Sequence, residues 1–163
     1  MQQQATLIYS EPLLRKAVSV FWRRTVGLSF LFALLFTASS LAVLIWYGDR
    51  AWLVGVVGAI LFLAIALALL VYFVHRHNAL AKFRAMGAPT ASLTIDHASL
   101  TMTSELGSTT LPWSSVKEIW QYPSFWLLFF SKGQFVTLPL ASVPAEMRAF
   151  ILGRVSATGG KVT

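Results

Sequence analysis

Two long uncharged runs, Thr25 to Gly48 and Ala51 to Val74, stand back to back in this chain with only Asp49 and Arg50 between them. Each has 24 residues. At about 1.5 Å of rise per residue, a helix of that length reaches roughly 36 Å, enough to cross a hydrocarbon core of roughly 30 Å with some tilt. A soluble hairpin buried in protein is the competing reading, but a chain of 163 residues leaves too little polar sequence to wrap one. The pattern predicts two membrane-spanning helices joined by a tight turn.

The composition agrees. Mean hydropathy is +0.68 and hydrophobic residues make up 56%, while charged residues at 12% are about half the usual share of soluble domains. With no cysteine, disulfides and thiol chemistry are excluded. The net charge of +7 is concentrated beside the apolar runs. Arg15, Lys16, Arg23 and Arg24 against Glu11 give +3 before the first run, Arg76, Lys82 and Arg84 give +3 after the second, and the residues from Ser92 onward carry only +1. These seven cations form a basic collar expected to face anionic headgroups, and their placement predicts a multi-pass membrane protein with both termini cytoplasmic. Nucleic acid is not an expected partner, because the C-terminal part is nearly neutral and has no basic stripe beside its aromatic residues.

Met1 to Gln4 has no basic n-region, and the first apolar run starts too late and is too long for a cleaved secretory signal, so the first span is expected to remain as an anchor. Ala5 to Tyr9 alternates as a strand able to join the C-terminal module, with Leu7 and Tyr9 on one face. Ser10, Glu11 and Pro12 open a helix. Its apolar residues Leu13, Leu14, Ala17, Val18, Phe21 and Trp22 share one face, which predicts an amphipathic helix on the membrane surface; packing on the soluble module is the alternative. Within the spans, Ser29, Ala33 and Thr37, and Ala51, Gly55 and Ala59, are candidate helix-packing faces. Neither span holds an ionisable residue, which argues against an ion pathway or proton relay.

The second helix is expected to continue to about Ala85 and to break at Gly87, Ala88 and Pro89. From Ser92 the period becomes two. Strands are expected at Ser92 to Asp96, Ser99 to Thr103, Thr109 to Leu111, Val116 to Tyr122, Phe125 to Ser131 and Gln134 to Leu138, with Lys132-Gly133 as a hairpin loop. A short helix from Pro144 to Val155 offers Met147, Phe150 and Ile151 to the sheet, and Gly159 and Gly160 begin a loose tail. This divides the chain into 1–24 (strand and amphipathic helix), 25–90 (hairpin with its juxtamembrane extension), 91–156 (β domain) and 157–163 (tail).

Leu93-Thr94-Ile95-Asp96, Leu100, Met102, Leu111-Pro112-Trp113-Ser114, Val116, Ile119, Phe135 to Pro139 and the helix after Pro144 resemble the C-terminal domain of YcxB-like bacterial membrane proteins. The Tyr9 segment, basic helix and two spans resemble that family's N-terminal half. The resemblance implies an α+β membrane protein, placed in the bacterial inner membrane, with a small cytoplasmic β module similar to a pleckstrin-homology fold, a bent sheet closed by one helix. It brings no catalytic residues with it.

The aromatic residues Trp113, Trp120, Tyr122, Phe125, Trp126 and Phe130 are candidates for either core or binding roles. Trp113, after a strand-ending proline, reads as a core anchor. The strand Phe125 to Phe130 is apolar on both faces, so it is either covered on both or presents a binding surface. His75, His77 and His97 have no carboxylate or cysteine at ligand spacing, so no metal or cofactor is expected. No nucleophile elbow, phosphate loop or paired carboxylate is present, and an enzyme is not expected. The expected role is a membrane-anchored binding or scaffold module acting on lipid or on a membrane protein partner. The alternative is a self-associating component of a transporter or toxin-immunity system, in which homo-oligomers form through the spans.

Overall fold

The computed structural model describes residues 3–85, 87–131 and 134–163, with Lys82 described by its backbone alone. The predicted Lys132-Gly133 loop lies outside the described residues. The chain forms two units, one of Met1–Ala17 with Ala79–Thr163 and one of Val18–Asn78, so both boundaries fall within helices.

The first unit contains two four-stranded sheets. In one, β1 (Gln3–Ile8), β2 (Thr90–Ile95), β3 (Ser99–Ser104) and β4 (Gly107–Pro112) pair antiparallel in that order. The N-terminal strand does join this sheet, Gln3 opposite Ile95 and Ile8 opposite Thr90. Alternation explains its place, since Ala5 and Leu7 turn inward while Gln4, Thr6 and Ile8 are exposed. Pro112, which has no N–H to give a ladder, and the 3-10 turn Trp113–Ser115 then end this sheet.

The second sheet holds β5 (Glu118–Gln121), β6 (Phe125–Ser131), β7 (Gln134–Pro139) and β8 (Lys161–Val162) in the order β7-β6-β5-β8. The β7-β6-β5 pairings are antiparallel and the β5-β8 pairing is parallel. The module is thus built of two sheets where one bent sheet was expected. Both sheets and the closing helix α4 (Ala145–Ala157) share one core, formed by Leu7, Leu93, Ile95 and Leu100 from the first sheet, Ile119, Trp126, Leu128 and Leu138 from the second, and Met147, Ile151 and Val155 from α4.

The segment expected as a loose tail is ordered. Gly159 takes φ +81° and donates its N–H to Ser156 O, while the Gly160 N–H bonds Val155 O at 2.9 Å. This is a Schellman close of α4, with glycine at the left-handed position. The redirected chain becomes β8, with Glu118 opposite Lys161 and Ile119 opposite Val162.

The helices are α1 (Glu11–Val26), α2 (Leu28–Trp46) and α3 (Trp52–Ala85). The Leu13 N–H reaches the Ser10 hydroxyl at 3.4 Å, and Leu14 N–H bonds Ser10 O, as the expected start requires. The first apolar helix begins later than Thr25, because Gly27 at φ +79° separates α1 from α2. At the other end of α2, Gly48 repeats the Schellman geometry: Gly48 N–H bonds Ile45 O and Asp49 N–H bonds Leu44 O. Asp49 Oδ1 then accepts the Ala51 N–H at 2.9 Å and opens the turn into α3, which ends at Ala85 as expected.

Candidate membrane interface

Helices α2 and α3 are long and apolar enough to cross a membrane, and protein buries no side chain in the apolar windows of either. Phe32, Phe36 and Phe62 are about 70% exposed or more (68, 76 and 74%). Burying that surface in lipid is the direct physical resolution of a helix pair apolar all round. Their polar atoms close on their own helices, with the Thr37 hydroxyl donating to Ala33 O and the Ser39 hydroxyl to Leu35 O, each at 2.9 Å.

Of the two small-residue faces, Thr37 and Ala51 line the hollow between the helices, with Leu41 and Val54, and the remaining members do not. Ser29, Ala33, Ala51, Gly55 and Ala59 are exposed, and an added Cβ at Gly55 would meet nothing. Gly58 instead lies beside Leu41, where an added Cβ would stand 3.6 Å from Leu41 Cδ2.

On α1, Trp22 Nε1 donates to Ala68 O at 2.7 Å, its ring meets Tyr72 edge-on at 5.9 Å, and Phe21 lies 4.9 Å from the His75 ring. Ala17, Val18 and Phe21 are buried by protein. The face expected to lie on the leaflet is therefore covered at these three residues, and Leu13, Leu14 and Trp22 are partly exposed. Among the basic residues, Lys16, Arg23, Arg24 and Arg84 are exposed and Arg76 is half-buried. Arg15 is also exposed, and its Nε bonds the Glu11 carboxylate one turn away at 2.9 Å. The Lys82 side chain lies outside the described residues.

The aromatic candidates belong to the packed interior of the β unit. Trp113 is 1% exposed, donates its indole N–H to Asp96 O and meets Phe150 edge-on at 6.2 Å. In β6, Phe125 to Phe129 are all buried, so both faces are covered. Trp126 and Leu128 enter the shared core, and Phe130 packs against it. On the opposite face Trp120 lies 4.3 Å from Phe129, Phe129 lies 5.4 Å from Phe135, and the half-buried Tyr122 lies 5.2 Å from Phe125.

Two polar anchors escaped the sequence reading. The Tyr9 hydroxyl donates to Thr137 O at 3.1 Å, and burial pushes its phenol pKa up. Arg154, in the last turn of α4, donates from Nη2 to His97 O, fixing the β2-β3 turn, while the His97 ring meets Phe150 edge-on. Within that turn Asp96 Oδ1 accepts the N–H groups of Ala98 and Ser99, both at 2.7 Å. These bonds, from Ser99 first and then Ala98, hold the carboxyl below its usual range.

Residues 95–152 match the family model described as YcxB-like protein. The chain carries a YcxB-like domain. That YcxB-like stretch begins at the last residue of β2 and ends inside α4, leaving β1 and β8, which complete its two sheets, outside the match. No curated protein and no solved structure matches the chain.

Proposed function

We propose that this protein is a non-enzymatic, membrane-anchored scaffold, in which a hairpin of α2 and α3 holds a pleckstrin-homology-like YcxB domain at the cytoplasmic leaflet of the inner membrane. The observation that carries the reading is the pairing of two helices whose apolar windows hold no buried side chain with a well-packed β unit. Tethering raises the effective concentration of the β unit near membrane partners, so a surface of modest affinity suffices. The cations at the helix ends set the orientation with both termini inside.

An anchor-swap experiment tests this. Replacing residues 28–74 with an unrelated two-span hairpin, in the full chain, leaves partner capture from native membranes intact if the β unit carries the function. Capture that is lost with the native spans assigns the working surface to the helices, as in a transporter component. A periplasm-dependent reporter active after Thr163 overturns the orientation.

A further inference from the structure

At its turn end the hairpin of α2 and α3 holds a hollow of about 280 Å³, walled by Leu41 and Leu44 of α2 and by Leu53, Val54 and Val57 of α3. All of it belongs to the unit Val18–Asn78. Thr37 is its farthest member on α2, nine residues before Trp46, which sets the floor roughly 14 Å below the turn. Half of a hydrocarbon core of roughly 30 Å is about the same length, so the hollow runs the depth of a single leaflet. Trp46, Tyr47 and Trp52, all strongly exposed, surround the turn at the depth where aromatic side chains meet headgroups.

The mouth differs from the walls. Asp49 lines it, and while Asp49 Oδ1 accepts the Ala51 N–H, Oδ2 accepts no bond among the described residues. The adjacent Arg50 forms no ion pair with this carboxylate. Below the mouth only Thr37 and Ser40 bring polar atoms, and the Thr37 hydroxyl is already spent on Ala33 O. The hollow thus suits a hydrocarbon chain that carries, at one end, a cation for Asp49 beside an anion for Arg50.

We infer that this hollow binds one acyl chain of a zwitterionic phospholipid, whose headgroup ammonium meets Asp49 and whose phosphate meets Arg50. A primary ammonium is favoured over a quaternary one, because Asp49 Oδ2 is an acceptor that only an N–H can use. A headgroup with no cation leaves Asp49 facing further negative charge, so anionic lipid is the poorest ligand of the three. The site rests on the reading of α2 and α3 as membrane spans.

Native mass spectrometry of the full chain tests this, in detergent micelles holding equal amounts of ethanolamine, choline and glycerol phospholipids with identical acyl chains. One retained ethanolamine lipid is expected, preferred over the glycerol lipid by about tenfold, the worth of one hydrogen bond to a charged group. Asp49→Asn keeps an oxygen for the Ala51 N–H and is expected to erase the preference while a lipid is still retained. Val54→Phe fills the hollow and is expected to lose the lipid, whereas Ile60→Phe, exposed outside it, keeps both lipid and preference. Retention blind to headgroup, a preference that survives Asp49→Asn, or a lipid-free dimer as the main species overturns the inference. Alkaline washing of reconstituted vesicles separates the two readings: protein stripped from the vesicles defeats the spans and the lipid site together, and protein that stays without a headgroup preference defeats the lipid site alone.

Discussion

The indole N–H of Trp113 donates to the backbone carbonyl of Asp96 at 2.9 Å, so a fully buried core tryptophan also fastens the turn between β2 and β3. Trp113→Ala removes the buried ring and leaves that carbonyl without its donor. It is expected to destabilise the β unit by about 3 to 5 kcal/mol, read as a fall in the unfolding midpoint of the full chain in denaturant. Trp113→Phe, which keeps most of the ring volume, should recover much of the loss.

Asp96 gives the same turn a pH dependence. Its folded pKa is lowered by the N–H bonds of Ser99 and Ala98, so its contribution is present above the unfolded carboxylate pKa of about 3.9 and is lost as pH falls through the folded value. Asp96→Asn should flatten the acid limb of a stability-against-pH curve measured from pH 6 downward. An unchanged acid limb would place the titration elsewhere.

The close of α4 gives a steric prediction. A Cβ at Gly160 would stand 2.8 Å from the carbonyl oxygen of Val116, which belongs to backbone and cannot swing away. Gly160→Ala is expected to cost about 1 to 3 kcal/mol, the range of overpacking changes. Amide exchange should rise first at Lys161 and Thr163, whose N–H groups bond Lys117 O and Ile119 O.

Covering the α1 face with protein sets an expectation for hydrogen exchange in bilayers. Amides from Leu13 to Trp22 should be protected equally in neutral and anionic lipid, at low and high salt. Phe21→Ala should weaken that protection, because it opens a buried site. Protection that grows with anionic lipid and falls with salt would put this helix on the leaflet instead.

The elements that were legible in the sequence are those whose own residues specify them. The alternation of Ala5 and Leu7, the Leu111-Pro112-Trp113 strand end and the uncharged runs each carry a local signal strong enough to survive into the fold. β8 was not legible because two residues have no period, and Lys161 and Val162 extend only because Lys117 and Ile119 offer carbonyls. The Gly27 break was hidden because an apolar helix tolerates glycine, and hydropathy is blind to a positive φ. Among the candidate site residues, the six aromatics were read as either core or surface, since composition gives both faces of β6 the same character. Only the arrangement of β5, β6 and β7 around Trp120, Phe129 and Phe135 shows how the second face is filled.

The pairing of β1 with β2 has a consequence for biogenesis. Gln3 is made before both apolar helices, yet its partner Ile95 is made only after them. Leu7 must therefore wait for its β2 partner until α2 and α3 have been made, and the loop closed by this pairing includes the whole hairpin. β8 adds the same condition from the other side, since β5 cannot gain its parallel neighbour until α4 and then Lys161 and Val162 have been made. Completion of the β unit thus follows synthesis of the hairpin in time, and a fragment starting at Ala91 begins life with one side of its first sheet missing.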